Sequence, residues 1–297
     1  MLIRNRKWPA GAKAVASAML LVALTMSGGS AAQNGMPRTN ATPDGQISAP
    51  PSSYADVADQ AVGAATIVHA RVRRVRVVED ARAANVPPNL VRLYIEAETR
   101  AMIFGSDPIA ARFSFITDQP RDAEGKPPKL RGREVLLFAR HVERSDQLTL
   151  VNPAALMLWD MEREVTARTI AAELAAAAPP PAVTGIAQAF HVTGTVRGES
   201  ESQIFLSTDA AIPITLTIER RADAPPQWAV AFGEIIDASA RRPVARTLRW
   251  YRLACGLPRT IPAAILRNSS ADDARAIAAD YALVLGSIAP CDRTAAR

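Results

Sequence analysis

Histidine and cysteine are scarce in this chain, with three histidines and two cysteines among 297 residues. That scarcity excludes most metal and nucleophile chemistry at the outset. His69, His141 and His191 are too scattered for HxxxH or HExxH spacing and no CxxC occurs, so the ligand patterns of zinc sites are missing. GxSxG, P-loop and GxGxxG stretches are also missing, which removes the signatures of elbow-type hydrolases, phosphate cradles and dinucleotide sites. No cofactor and no metal are expected. Long hydrophobic runs are lacking as well: Ala14 to Met26 is mainly apolar but holds only 13 residues, against about 20 needed to span a bilayer core.

What surrounds that run explains it. Arg4, Arg6, Lys7 and Lys13 precede it without an acidic residue, and SGGSAAQ follows. A basic segment, a short apolar segment and small residues make a secretory signal peptide, residues 1–32, with the cut after Ala32. No cysteine lies near the cut and no Arg-Arg pair precedes the run, so the general export route to the periplasm is expected, leaving no integral membrane protein. Removing residues 1–32 takes four cations and no anions, which reduces the formal +6 to about +2. A near-neutral remainder gives no footing for nucleic-acid binding. Residues 33–52 are rich in Pro, Gly, Ser, Thr and Asn, and are read as a disordered leader.

About 245 residues remain. Ser52 and Ser53 precede a short helix with an Asp in its first turn. ATIVHARVRRVRVVED places Val68, Ala70 and Val72 on one face, then slips phase at Arg73 and Arg74, as a β-bulge in a bent strand would. VRLYIEAETRAMIF alternates cleanly, ARFSFIT and QLTLV are shorter strands, and REVLLFARHV is apolar enough to be buried on both faces. Five such strands predict a small OB-like β-barrel with flanking helices over 53–178. A helix is expected from Leu156 to Ala178 with Met161, Val165, Ile170 and Leu174 as its apolar stripe, ended by Pro179, Pro180 and Pro181. Residues 179–184 form the expected hinge.

From 185 to 297 two hairpins predict a four-stranded antiparallel sheet, with Phe190, Val192 and Val196 alternating against His191, Thr193 and Thr195. A C-terminal helical pair covers one face: Leu248, Tyr251 and Cys255 on the first helix, and Ile277, Tyr281, Leu285 and Ile288 on the second, capped by Ser270. The fold class is therefore α+β. An even cysteine count in an exported chain predicts a Cys255–Cys291 disulfide. As a nucleophile, Cys255 would need a histidine, and none is near in sequence.

Other candidates have ordinary readings beside the functional ones. Glu96 and Glu98 share a strand face, but Arg71 and Arg73 stand ready as cross-strand partners. Lys126, Lys129, Arg131 and Arg133 in GKPPKLRGR could hold an anion, and read first as a solvated loop. RGESES is hairpin-turn chemistry. His69 and His191 fall on polar strand faces, and His141 sits beside Glu143.

The segments RLYIEAETRA, GKPPKLRGREVLLFAR, AFHVTGTVRGESESQIFL, WAVAFGEIID and TLRWYRLACGLPR resemble recurring blocks of a family of exported proteins from sphingomonad-type alphaproteobacteria. The resemblance runs from about Tyr54 to Cys291 and implies periplasmic residence, without an activity, cofactor or site. The barrel pattern is also similar to OB-like folds such as the netrin-module and tissue-inhibitor class, although the barrel half here has no cysteine. The sequence thus points to a periplasmic binding or interaction module without catalysis, whose partner is an envelope protein or a small ligand. Two alternatives stay open. One is a hydrolase assembled from His141, Glu143, His191 and Glu199; the other is an inhibitor or assembly factor for an envelope protein.

Overall fold

The computed structural model describes residues 52–79, 85–142, 145–210, 212–233 and 241–294. Residues 1–51 and Glu143 lie outside them, while Ser52, the last residue of the expected leader, accepts from Arg163 Nε at 2.6 Å. Helix α1, Tyr54–Ala61, starts where the serines predict: Ser53 Oγ accepts from Asp56 N at 3.1 Å, and the Asp56 carboxylate accepts from Ser53 N at 2.9 Å. This reciprocal cap satisfies two of the orphan N–H groups of the first turn.

The barrel follows. Its strands are β1 (Thr66–Val77), β2 (Leu90–Phe104), β3 (Arg112–Pro120), β4 (Glu134–His141) and β5 (Gln147–Leu150). β1 pairs antiparallel with both β2 and β4, β2 pairs with β3, β5 runs parallel to β3, and β5 closes on β4. This order makes a closed, OB-like barrel. Closure demands a sharply bent β1, and the register of β1 on β2 slips between Val72 and Arg74, where the sequence loses phase, and also at Ile67/Val68 and His69/Ala70. Val68, Ala70, Leu93, Ile95, Phe113, Phe115, Val135 and Leu137 fill the interior. β4 is buried on both sides as expected, because Leu136 and Phe138 face outward beneath the helices.

The expected helix from Leu156 is corrected here. Leu156–Leu158 is a sixth strand, β6, paired with Val135–Leu137 of β4. β5 covers only Ala139–His141 along that edge of β4, and after a 3₁₀ turn at Pro153–Ala155 the chain returns to pair with the remainder. Helix α2 is Met161–Leu174, with the Asp160 side chain accepting from Arg163 N at 2.7 Å. Its buried face is Arg163, Ala167, Ile170 and Ala171, while the expected stripe members Met161 and Val165 are 64% and 54% exposed. Small alanines let α2 sit close against α1, and this decides which face is covered.

After the three prolines come β7 (Val183–Thr193), which takes in residues 183 and 184 of the expected hinge, β8 (Ser200–Thr208), β9 (Ile214–Arg221) and β10 (Ala224–Phe232), in the antiparallel order β10-β9-β8-β7. The turn between β9 and β10 is shorter than ADAPP suggests: Pro225 and Pro226 enter β10, within a register shift between Ala224 and Gln227. Helices α3 (Leu248–Ala254), α4 (Ala263–Leu266) and α5 (Ala271–Ser287) follow. Leu253, Ile277, Tyr281 and Val284 cover one face of the sheet, packed on Ile204, Leu206, Ile214, Leu216 and Ile218. Val284 takes the central place expected of Leu285, which packs only at the margin. Tyr281 donates to the Pro258 carbonyl at 2.6 Å, and burial pushes its hydroxyl pKa up to about 12.

Helix α3 faces two ways. Leu248, Trp250 and Tyr251 join α1, α2 and the outward side of β4 in one core, while Leu253 belongs to the sheet's core. Tyr251 Oη donates to Asp59 at 2.6 Å. Cys255 and Cys291 form the expected disulfide, with Cα atoms 5.0 Å apart. The connection of residues 255–270 holding α4, and an extended exit from α5 at Ile288, bring the second cysteine back beside the first. From there residues 292–294 are strapped to α1. Trp250 Nε1 donates to the Ala289 carbonyl at 2.8 Å, Ala55 N donates to Asp292, Arg293 forks onto Asp59, and Thr294 donates through N and Oγ1 to Asp56.

Candidate functional site

The functional reading turns on one residue in β7. Inward-facing partners along β7 and β8 are Ile186 with Leu206, Ala189 with Ile204, and His191 with Ser202. The interval from Ile186 to Ala189 is odd because the register shifts between Ile186 and Gln188, leaving Ala187 as an extra residue. A slip of one residue sends every later side chain to the opposite face. The alternation Phe190, Val192 therefore points outward, 53% and 66% exposed, and His191 points inward. Sequence patterning assigned these residues the reverse way, and the bulge at Ala187 is the physical reason.

Outside, the sheet carries a groove of about 500 Å³. Phe190, Val192, Glu199, Glu201, Glu219 and Arg221 are among its lining residues. Phe190 stands edge-on to Phe205, with ring centroids 6.0 Å apart. Its charges are unevenly satisfied. Arg221 pairs with Glu219 at 3.1 Å, and Arg220 reaches Asp280 at 2.5 Å, so both cations are engaged. Glu201 accepts only from Gln203 at 2.7 Å, and Glu199 has no cation beside it among the described residues.

Beneath the sheet, His191 joins a buried polar chain. His191 Nδ1 lies 2.9 Å from Ser202 Oγ, Ser202 Oγ donates to Asp280 at 2.5 Å, and Arg220 Nε donates to Asp280 at 2.6 Å. Ser202 and Asp280 are fully buried. The serine has one proton and gives it to the carboxylate, so the histidine must donate into the serine oxygen. A serine, a histidine and an aspartate are present, but in an order that opposes nucleophilic catalysis. A relay needs the imidazole between hydroxyl and carboxylate to take the hydroxyl proton; here the hydroxyl sits between. The chain satisfies a buried carboxylate and locks α5 to β8 and β9.

His69 is held in a second polar knot, on the outside of the barrel. Its ring stacks on Trp159 at 4.9 Å and an interplanar angle of 3°, with Nε2 3.2 Å from Glu134 and Nδ1 3.3 Å from Glu164. Trp159 Nε1 donates to Glu164 at 2.5 Å and Arg168 pairs with it at 2.7 Å. Burial raises the Glu164 pKa, but these donors and the nearby His69 outweigh it and hold the carboxyl below its ordinary value. Both ring nitrogens of His69, the Trp159 N–H and both carboxylates have partners within the protein, as a structural brace between β1, β4 and α2 requires.

The remaining sequence candidates are dispersed. His141 ends β4 with its Nε2 buried and no hydrogen-bond partner among the described residues. His141 belongs to the six-stranded sheet, whereas His191 and Glu199 belong to the four-stranded one, and no hydrogen bond joins any two of the three among the described residues. Glu98 pairs with Arg73 and Glu96 with Arg74, the cross-strand role expected of them. No group of three metal-ligating residues occurs among the described residues, and none of their helices is long and apolar enough to cross a membrane. Asp280 escaped sequence reading because one acid on the polar side of a helix looks solvated. Its signal is visible only in three dimensions, where Ser202 and Arg220 converge on it.

Comparison with protein-family models and with curated proteins finds no match for this chain.

Proposed function

We propose that this chain is a non-catalytic binding module of the bacterial periplasm whose docking surface is the outer face of β7, β8 and β9. The observation that carries the reading is the bulge at Ala187, which puts Phe190 and Val192 in water above a groove although the alternating sequence would have buried them. Clustered exposure of large apolar side chains beside a groove marks an interaction site more often than isolated exposure does. Periplasmic residence rests on the basic, apolar and small-residue sequence of residues 1–32.

Met161 and Val165 on α2 are as exposed as Phe190 and Val192 and supply the internal control. With the photoreactive residue p-benzoylphenylalanine placed singly at 161, 165, 190 and 192 in the exported protein, discrete adducts are expected at 190 and 192 alone. Equal labelling at all four positions, or none at 190 and 192, would overturn the reading.

A further inference from the structure

We infer that the occupant of this surface is an extended segment of a partner protein, added as a fifth strand along β7, carrying at alternate positions two apolar side chains and one lysine or arginine. The inference rests on the docking reading above and specifies its ligand. Three observations carry it.

The first is the edge itself. Among the described strands β7 pairs only with β8, and although α4 and α5 pack against it, no described residue outside β8 hydrogen-bonds to its backbone. Natural sheets blunt such edges with proline, charge, bulges or shortness. The other exposed edges here are blunted. β10 carries Pro225 and Pro226 inside a register shift and is bridged at Val230 by Arg241. The barrel is closed, and the sheet beyond it ends in the three-residue β6. β7 has its own register shifts at Val183/Gly185 and Ile186/Gln188, but beyond them residues 188–193 pair without a further shift and include neither a proline nor an Asp, Glu, Lys or Arg.

The second is side-chain periodicity. Phe190 and Val192 are two apart and share the outer face, so an added strand sets its own alternate side chains beside them at the ordinary spacing of paired strands. Backbone hydrogen bonds then supply affinity, and the alternate side chains supply selectivity.

The third is charge. The groove's arginines are neutralised internally by Asp280 and Glu219, whereas Glu199 and Glu201 have no cation partner among the described residues. Arg197, in the same turn, does not line the groove. Glu201 stands opposite Val192 and Glu199 lies at the mouth of the hairpin, so the unsatisfied charge is negative and concentrated at the C-terminal end of β7. A basic side chain there, next to two apolar ones over Phe190 and Val192, complements the surface.

The test uses the mature full-length protein, labelled with ¹⁵N, and two synthetic heptapeptides, TVTVTKT and TKTVTVT. These present two valines and a lysine on one face in either strand direction. One of them is expected to shift the amides of 184–193 while leaving those of α5 in place, and its lysine-to-glutamate version should bind at least tenfold more weakly. The double variant Glu199→Gln, Glu201→Gln should erase that preference without altering the α5 spectrum. N-methylation of the valine and lysine amides, or of the threonine amides, should abolish binding for one set and spare it for the other, because only one edge of the peptide faces β7. Equal binding of the glutamate peptide, insensitivity to both methylation patterns, or no shift at millimolar peptide would overturn the inference. So would β7 shifts that grow with protein concentration alone, which would make a second copy the occupant. Photo-adducts at 190 and 192 without peptide binding would leave the docking surface standing and remove this occupant; loss of both would remove the two together.

Discussion

The barrel and the four-stranded sheet are built from similar strands and treat their borders in opposite ways. In the barrel β1 is hydrogen-bonded on both sides, β5 and β6 share the second edge of β4, and helices cover the outward side of β4. In the sheet α5 and α3 cover one face, while the other carries Phe190, Val192 and a groove, and β7 ends the order. Both regions use a bulge, to different ends. At Val72–Arg74 it bends a strand so that a surface can close; at Ala187 it turns apolar side chains out so that a surface stays available. The same local irregularity therefore serves closure or exposure according to whether the shifted strand has a neighbour on its far side.

Substitutions can break or sharpen that contrast. The largest effect is expected from Phe138→Ala, about 4 kcal/mol in urea denaturation, because the ring is fully buried between the barrel wall and the helices. Amide exchange should then quicken in α3 as well, since α3 shares that core; an effect confined to β4 would separate the two regions more than the packing implies. Replacing both Cys255 and Cys291 by serine should cost about 3 to 4 kcal/mol from loop entropy, with exchange rising first in α1 and sparing β7 to β9. Early exchange in the sheet would contradict the assignment of the disulfide to the strap. Ser202→Ala should cost about 1 to 3 kcal/mol, because it leaves Asp280 without one donor and His191 without its acceptor.

Acid should loosen the strap. Burial raises the Asp56 pKa, but hydrogen bonds from Thr294 and Ser53 prevail and hold it below the ordinary carboxylate value. A lowered folded value means that its stabilisation is complete above the unfolded pKa of about 3.9 and disappears as pH falls through the folded one. Asp56→Asn should therefore flatten the acid limb of a stability-against-pH curve below about pH 4. The smallest effect is expected from Phe190→Ser, within about 0.5 kcal/mol. A loss of 2 kcal/mol or more in thermal or urea melts would place the ring inside the fold.

Much of this architecture was legible in the sequence, and the exceptions share a cause. The phase slip at Arg73 and Arg74 is visible because charged residues interrupt an otherwise apolar face. The α1 and α5 caps are visible because Ser53 and Ser270 precede acidic first turns. The slip at Ala187 is invisible, since a bulged alanine among Ile186, Gln188 and Ala189 leaves no chemical trace and only pairing with Leu206, Phe205 and Ile204 fixes the phase. Leu156–Leu158 reads as the start of a helix because three apolar residues fit either period, and the unpaired stretch of β4 that selects a strand lies some twenty residues earlier. The buried Asp280 was passed over and the exposed Phe190 misjudged for one reason, namely that a partner far along the chain overrules local pattern. The site was therefore less readable than the scaffold.

The strap gives the molecule an order of assembly. Asp56 and Asp59 near the start of the described chain are satisfied by Thr294 and Arg293 at its far end, across sequence separations of 238 and 234. During synthesis the residues of α1 therefore emerge without those partners and must wait until residues 293 and 294 have been made. Residues 292–294 then complete the surroundings of α1, and oxidation of the cysteines makes the join durable. A chain that stopped a few residues short of Cys291 would carry every described strand of both sheets and still leave α1 without its strap.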